Sequence, residues 1–340
     1  MSQDSELPFL TIVMPVFNEG RFIEQTLAQL LAQNYPPDRY EILVVDGMST
    51  DDTREITTVF SQQHPNVFLL DNPKQRSSAG RNVGFKAGRG GYFLVVDGHC
   101  FIPTCTLLSD VADCFARSGA DCLGRPQPLD PPGLTPFQQA VALARGSRLG
   151  HGSDSMIYGD YEGFASPVSN GAVYGKSVFE KIGYVDETFD ACEDVDFNYR
   201  VEQAGFSCYT SLKLAIQYYP RENMRGFFRQ MVRYGEGRFR FIKKHREALT
   251  FNQLVPSGFV AGLMMLIMLL AMGLSHNRGF WGLGVLYGIY ALIVIVESLR
   301  LAIRNDWKYL RYLPQLFFAI HFGLGWGFLN QLILFKKQRF

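Results

Sequence analysis

Three long stretches near the C terminus carry no charged residue. Residues 248–275, 279–296 and 312–335 contain no Asp, Glu, Lys or Arg. A helix that crosses a bilayer needs about 20 mostly apolar residues. Buried core helices of a soluble protein do not supply three such runs in succession. The expectation is therefore three membrane segments, near 254–274, 279–297 and 313–335. Glycines recur in all three, which suits close helix packing in lipid. These runs account for a hydrophobic content of 47% with 28 Phe, high for a soluble enzyme.

The stretch before them is of another kind. Residues 221–246 hold nine Lys or Arg against two Glu, interleaved with Phe227, Phe228, Tyr234, Phe239, Phe241 and Ile242. Basic residues with an aromatic face suit a helix lying on an anionic membrane surface. The same patch fits nucleic acid in isolation, but the adjoining membrane segments favour lipid, and no nucleic-acid partner is expected. Lys243, Lys244 and Arg246 precede the first segment, and Arg300, Arg304, Lys308 and Arg311 fill the second loop. By the positive-inside rule the preceding domain faces the cytoplasm at the inner (cytoplasmic) membrane. Three crossings would then put Lys336, Lys337 and Arg339 outside, against that rule. A re-entrant segment, or an interfacial 298–311, would relieve the conflict, and the sequence leaves both open. The N terminus, MSQDSELPF, has neither a basic nor an apolar signal region, so no secretory leader is expected. Six cysteines without CxxC spacing read as reduced thiols. A net charge of +1 names no partner.

The first 220 residues alternate between two periodicities. Apolar strands are expected at 10–16, 40–45, 67–70 and 92–97, with helices of about a dozen residues between them. That order builds an α/β domain whose sheet is mostly parallel with right-handed crossovers. Ser49 or Asp51 is placed to cap the helix after the second strand. Residues 124–170, rich in Gly, Pro and Ser, read as loops and short helices over the sheet face. Two strands end on an aspartate, Asp46 and Asp97, and ligands of open α/β sheets bind at such strand ends. Asp97 and His99 flank Gly98 in YFLVVDGHC. A carboxylate and an imidazole so spaced can share one divalent cation. The plainer alternative is a turn in which Asp97 only bonds backbone. The dinucleotide fingerprint GxGxxG is absent after the first strand, where MPVFNEG stands, which disfavours a nicotinamide or flavin enzyme. Glu193, Asp194 and Asp196 open a later helix. Complementing the helix dipole explains Asp196 well, and Glu193 and Asp194, which follow an irregular segment, less well.

In order along the chain, these residues resemble glycosyltransferase family 2, over about residues 8–240. MPVFNE at 14–19, with Pro15, Asn18 and Glu19, is similar to the family's opening strand and nucleotide-binding turn. DGMSTDDT at 46–53 resembles its DDGSTDxT segment, with Gly47 in place of the second Asp. AGRNVG at 79–84 resembles its Gly/Arg/Asn-rich turn, VVDGH occupies the DxD position, and CEDVDFNYR at 192–200 resembles its ED motif. QMVRY at 230–234 is similar to the QxxRW motif of membrane-bound members, with Tyr234 for Trp. Among relatives, the membrane-associated exopolysaccharide transferases of the succinoglycan type share the Asp-x-His and the approach VYGKSVFEKIGYVDE.

The resemblance implies a GT-A nucleotide-sugar fold at 8–220, a basic interfacial stretch at 221–250 and a membrane region at 251–340. It implies a Mn²⁺ or Mg²⁺ ion held by Asp97 and His99, with His99 leaving metal identity open. Pro15, Asn18, Glu19, Asp46 and Arg81 would bind the donor nucleotide, a UDP-sugar in preference. Gln230, Arg233 and Tyr234 would close over the diphosphate or acceptor. Asp194 would act as base toward a lipid-linked saccharide acceptor, with Glu193 orienting the region, in an inverting transfer for exopolysaccharide or surface-glycan synthesis. Two other readings stand beside it: a membrane nucleotidyl- or phosphoglycosyl-transferase making a lipid diphosphate-sugar, and an inactive scaffold subunit.

Overall fold

The computed structural model describes residues 7–151, 156–158, 160–274, 276 and 278–337. The chain divides into two compact units, Met1–Pro132 with Asp154–Tyr219, and Gly133–Ser153 with Pro220–Phe340. Along the first unit, β1 (Leu10–Val16), α1 (Ile23–Leu31), β2 (Tyr40–Asp46), α2 (Thr53–Gln63), β3 (Val67–Asp71), α3 (Ser77–Ala87) and β4 (Tyr92–Val95) alternate as the apolar pattern predicts. There follow β5 (Cys100–Phe101), α4 (Leu107–Ser118) and β6 (Cys122–Gly124). The next helices, α5 (Pro136–Gly146) and α6 (Arg148–His151), belong to the second unit. The first unit resumes with β7 (Gly163–Phe164), α7 (Pro167–Asn170), β8 (Gly171–Gly175), α8 (Lys176–Ile182), α9 (Glu193–Gln203), β9 (Cys208–Thr210) and β10 (Gln217–Tyr218). The second continues with α10 (Met224–Lys244), α11 (Phe251–Ala271), α12 (Arg278–Arg304) and α13 (Leu313–Lys337).

Among the described residues the main sheet has eight strands in the order β3-β2-β1-β4-β8-β6-β9-β7. The half built from the first four strands is parallel. β8 enters antiparallel between β4 and β6. All seven residues of β2 are buried, as helices on both faces require of a parallel strand. Pro15 is tolerated within β1 because of where β4 stops. β1 pairs with β4 only from Leu10 to Val13, and the Val13 carbonyl accepts from Val96 N. Pro15, two residues on, faces the same side, where no ladder partner needs its missing N–H.

Two glycines of AGRNVG decide how closely α3 approaches β1. A Cβ on Gly84 would lie 2.3 Å from Val13 Cγ1, and one on Gly80 would lie 3.1 Å from Pro15 Cβ. Spaced four apart, both face β1 and seat α3 against the strand that carries the MPVFNE turn.

The structure departs from the expectations in four places. α2 has Asp52 at its N-cap with no side-chain bond. Ser49 Oγ instead accepts from Asn18 N in the neighbouring loop, whereas Asp51, one residue before the N-cap, accepts from N and Oγ1 of Thr53, the first residue of α2. β4 ends at Val95 rather than Asp97. Within residues 124–170, expected as loops and short helices over the sheet face, one helix is longer, the 11-residue α5, opened by a Thr135/Gln138 capping box with Pro at its start. The segment 133–153 belongs to the second unit, although the sequence places it within 8–220.

The fourth departure is α10, whose apolar stripe is already occupied. Phe227, Met231 and Gly235 are buried, and Phe227 and Met231 share a core with Leu313, Leu316, Phe317 and Ile320 of α13. Gly323 and Gly327 of α13 meet α10, and Gly325 meets α11 at the Pro256 carbonyl. Positions four apart share a helix face and positions two apart oppose each other, so α13 is held on two sides.

Gly84→Ala is expected to cost about 1–3 kcal/mol by overpacking. Adding Val13→Ala should return part of that loss, so the double variant is less destabilised than the sum of the singles. Thermal unfolding in detergent measures both, and strict additivity would contradict the contact.

Candidate functional site

The loops after β1 and β2 are joined by main-chain bonds to side chains. Asn18 sits at φ +55°, a conformation Asn tolerates better than most residues. Its N–H donates to Ser49 Oγ at 2.9 Å and its Oδ1 accepts from Thr50 N at 2.8 Å. Glu19 N donates to Thr53 Oγ1 at 2.7 Å, and Gly20 N to Asp51 Oδ2 at 3.0 Å. Beneath them Asp46 is fully buried. It accepts from Ser49 N at 3.2 Å and from Arg54 Nη1 at 3.1 Å. Arg54 also pairs with Asp71 at 2.7 Å, so one guanidinium ties the ends of two adjacent strands. Four non-glycine residues among those described have positive φ, and Asn18, Met48 and Cys192 of these lie on the loops of this site. Such conformations persist where surrounding contacts over-determine them, as functional sites do.

The Asp97–Gly98–His99 turn begins where β4 leaves β1. Arg125, 1% exposed, donates to the Val95 carbonyl at 3.1 Å and to the Tyr218 hydroxyl at 2.9 Å. It anchors the end of the strand two residues before Asp97. A Cβ on Gly98 would lie 2.9 Å from Glu19 Cγ, so glycine here lets the two loops close on each other. His99 Nδ1 lies 2.8 Å from Glu19 Oε1. A carboxylate only accepts, so this bond puts the imidazole proton on Nδ1 and makes Nε2 the acceptor nitrogen of the ring. Among the described residues no cluster of three or more His, Cys, Asp or Glu forms a ready-made cage. A carboxylate and an imidazole are a donor pair that suits Mn²⁺, and Asp97 and His99 are the two such groups on this turn.

Arg81 links this turn to the ED motif. It lies on α3 with its Nη2 3.6 Å from Glu193 Oε1. Burial alone would lower its pKa, but the carboxylates of Glu193, Asp194 and Asp97 outweigh burial and raise it. Burial pushes the Glu193 carboxyl up, against the pull of Arg81. The two acids of the motif thus differ in environment. Glu193 is buried against the guanidinium, whereas Asp194 is exposed, its Oδ1 accepting from Val195 N at 2.9 Å. Asp196 is buried and bonded to Arg200 four residues on, which makes it a structural residue. The approach to α9 is clamped by Asn82. Its Nδ2 donates to the Val185 carbonyl at 2.8 Å, and its Oδ1 accepts from Val185 N at 3.0 Å. Ser78 Oγ donates to the Phe189 carbonyl at 2.9 Å.

Asn82 and Arg125 are the residues the sequence reading did not single out. Asn82 had a signal, standing inside AGRNVG beside Arg81. Arg125 had none, as a lone arginine in a Gly/Pro-rich stretch. Gln230, Arg233 and Tyr234 lie on α10 in the second unit. There Gln230 Nε2 donates to the Tyr234 hydroxyl at 3.2 Å, and the Arg145 guanidinium lies 5.7 Å from the Tyr234 ring centre.

Removing one partner of a buried ion pair typically costs about 3–5 kcal/mol. Arg81→Met is expected to lose stability on that scale together with activity. Arg81→Met/Glu193→Gln should regain stability without regaining activity. A double variant no more stable than Arg81→Met, by thermal unfolding, would contradict the pairing.

The family model for glycosyl transferase family 2 matches residues 11–182. Over 336 residues, 96% of this chain and 97% of the relative, the chain is 28% identical to a dolichyl N-acetyl-alpha-D-glucosaminyl phosphate 3-beta-D-2,3-diacetamido-2,3-dideoxy-beta-D-glucuronosyltransferase of Methanococcus voltae. It is 29% identical over 331 residues, 96% of each chain, to the succinoglycan biosynthesis protein ExoA of Rhizobium meliloti. Among solved structures, the mannosyltransferase PcManGT of Pyrobaculum calidifontis, in complex with GDP-Man and Mn²⁺, is similar with a TM-score of 0.58 and 16% identity, covering 95% of this chain and 88% of that one. TarS 1–349 of S. aureus in complex with UDP-GlcNAc is similar with a TM-score of 0.51 and 14% identity, covering 97% and 92%. Identities this low speak to fold alone, and the fold is the expected GT-A type. With its family model spanning half the chain, the protein belongs to glycosyl transferase family 2 and is a glycosyltransferase.

Proposed function

We propose that the chain transfers a sugar, with inversion, from a nucleotide diphosphate-sugar to a lipid-linked saccharide at the cytoplasmic face of a membrane, in exopolysaccharide or surface-glycan synthesis. The observation that carries this reading is Arg81, whose guanidinium lies 3.6 Å from Glu193 of the ED motif and whose pKa the carboxylates of Glu193, Asp194 and Asp97 together raise against burial. A donor-side group and an acceptor-side base set around one fixed cation is what a single displacement needs.

Each group then has one task. Asp97 and His99 would hold the divalent cation, Mn²⁺ or Mg²⁺, His99 through Nε2. When bound, the cation offsets the charge of the leaving nucleoside diphosphate as a Lewis acid. Glu19 fixes the His99 tautomer. Asp46, buried under the nucleotide-binding loops, holds their shape through Ser49 N and Arg54 while Asn18 and Pro15 line the same edge. Asp194, exposed at the helix start, takes the proton of the acceptor hydroxyl as it attacks the anomeric carbon. Glu193, buried and paired with Arg81, orients that helix start. Gln230, Arg233 and Tyr234 of α10 are assigned to the diphosphate or acceptor. The relatives support the acceptor class: one is named as acting on a dolichyl phosphate-linked sugar and one as a succinoglycan biosynthesis protein. The neighbours support the donor class, one holding GDP-Man and one UDP-GlcNAc, and a UDP-sugar is favoured. Among the described residues, three helices long and apolar enough to cross a membrane support a reaction beside lipid.

A panel of radiolabelled nucleotide sugars on membranes containing the protein tests the reading. One donor is expected to label a lipid-extractable product and release nucleoside diphosphate. Release of nucleoside monophosphate with a lipid diphosphate-sugar would overturn it, as would no turnover of any donor.

Asp194→Asn keeps shape and removes basicity. General-base catalysis is typically worth about 10²- to 10⁴-fold, so turnover should fall on that scale with donor binding nearly unchanged. Turnover within a few-fold of the parent would remove Asp194 from the base role. Chelation should abolish activity, with Mn²⁺ restoring it better than Mg²⁺. Glu19→Gln should weaken Mn²⁺ binding in the presence of nucleoside diphosphate by about 10- to 100-fold, the usual cost of losing a carboxylate behind a ligating His. Full activity in chelator would exclude the cation.

A further inference from the structure

The three apolar helices of the second unit are not alike. Over their apolar windows α11 and α12 have hydropathies of 2.3 and 2.1 with 11% and 6% buried, whereas α13 has 1.4 with 44% buried. What covers α13 is α10. Phe228 stacks on Phe322 with ring centres 6.2 Å apart, and Phe239 meets Phe328 edge-on at 5.3 Å. Between them a Cβ on Gly235 would lie 2.1 Å from the Leu324 carbonyl oxygen, and one on Gly327 would lie 2.0 Å from that of Val232. Asn330 Nδ2 lies 3.5 Å from Glu236 Oε1. The residue numbers rise together along both helices, so the two run parallel, with backbone contact between residues 323 and 328 of α13.

That contact constrains where α13 can lie. α10 carries seven Lys or Arg between Met224 and Lys244, at 225, 229, 233, 238, 240, 243 and 244. Each costs roughly 2.5–3.5 kcal/mol at the centre of a bilayer even on the lowest scale. α10 therefore stays out of the hydrocarbon, and a helix joined to it side by side cannot pass through the hydrocarbon there. The first half of α13 is covered as well: Leu313, Leu316, Phe317 and Ile320 share a core with Ala140, Val141 and Ala144 of α5. His321 bridges the Leu149 carbonyl and the Tyr290 hydroxyl, at 2.9 Å each. The large apolar side chains α13 leaves exposed include Phe318, Trp326 and Ile333. With Phe322 they fall on one stripe, and Phe318, Phe322 and Trp326 stack in an i, i+4 ladder. One aromatic stripe opposite a buried face is the pattern of a helix lying in the interface.

We propose that α13 lies in the plane of the membrane interface, its Phe318–Phe322–Trp326 stripe toward lipid, so that only the α11–α12 hairpin enters the bilayer and the C terminus stays on the membrane face that α10 occupies. This arrangement resolves the charge conflict in the sequence: Lys336 and Lys337 then lie on the same face as Lys243, Lys244 and Arg246, as the positive-inside rule requires.

The protein's own tryptophans supply the test. Its three are Trp281, Trp307 and Trp326, so Trp281→Phe/Trp307→Phe leaves a single probe in α13. Trp326 is near the middle of the 313–334 apolar window, within about 4 Å of its centre at 1.5 Å per residue. In vesicles of anionic phospholipid brominated at graded depths, the in-plane arrangement predicts strongest quenching by the shallowest bromines. Strongest quenching by bromines near the chain ends would overturn it. Full-length protein tagged at both termini gives an independent reading in sealed vesicles, since no span separates the N terminus from α10. Both tags should be digested from the same side. Digestion from opposite sides would equally overturn the proposal.

Discussion

The site depends on a buried positive charge. Arg81 reaches the end of β4 and the start of α9 because α3 lies directly on β1, which two glycines permit. Without that guanidinium, Glu193 would be a buried carboxylate offset only by hydrogen bonds, Ser77 among their donors. With it, the Asp-x-His turn and the ED motif, nearly a hundred residues apart in the chain, share one electrostatic centre. The backbone around that centre is fixed by short-range devices: Asn82 clamps 185, Asn18 joins the first two loops, and Arg125 closes the end of β4. None of these touches a reacting atom in the mechanism given above, yet each sets where one that does must stand.

The second unit follows a different constraint. Its helices are apolar enough for lipid, but α10 is too charged for it, and α13 must satisfy both neighbours. Small residues solve the contact by letting backbones approach, with Gly323 and Gly327 toward α10 and Gly325 toward α11. The apolar stripe of α10 is covered by protein, with Phe227 and Met231 in one core with Leu313, Leu316 and Phe317 of α13. A helix long and apolar enough to span is 44% buried by what it packs against.

The Asp-x-His turn shows how a departure from a familiar pattern is accommodated. Replacing a carboxylate by an imidazole removes a charge from the donor side. Glu19 restores one at one remove, behind His99 Nδ1, and orients the ring. Gly98 is what lets Glu19 come close enough to do so. A substitution that weakens the motif when read alone is thus supported by a residue 80 positions earlier.

Much of this was legible before any coordinates. Alternating strands and helices fixed the class of the first unit, because burial on both sheet faces forces continuous apolar runs. The family motifs carried Asp46, Arg81, Asp97, His99 and Asp194, and the charge-free runs carried the membrane region. What sequence could not supply is which groups meet. That Asp46 is consumed by Arg54, that Glu193 rather than Asp194 takes Arg81, that Arg125 caps β4, and that α5 leaves the sheet for the helical unit are all contacts between distant segments. Local pattern determines which face a residue presents and how long an element runs. Pairing, tautomer and burial of a charge depend on what tertiary packing brings against that face, and only the folded chain decides them.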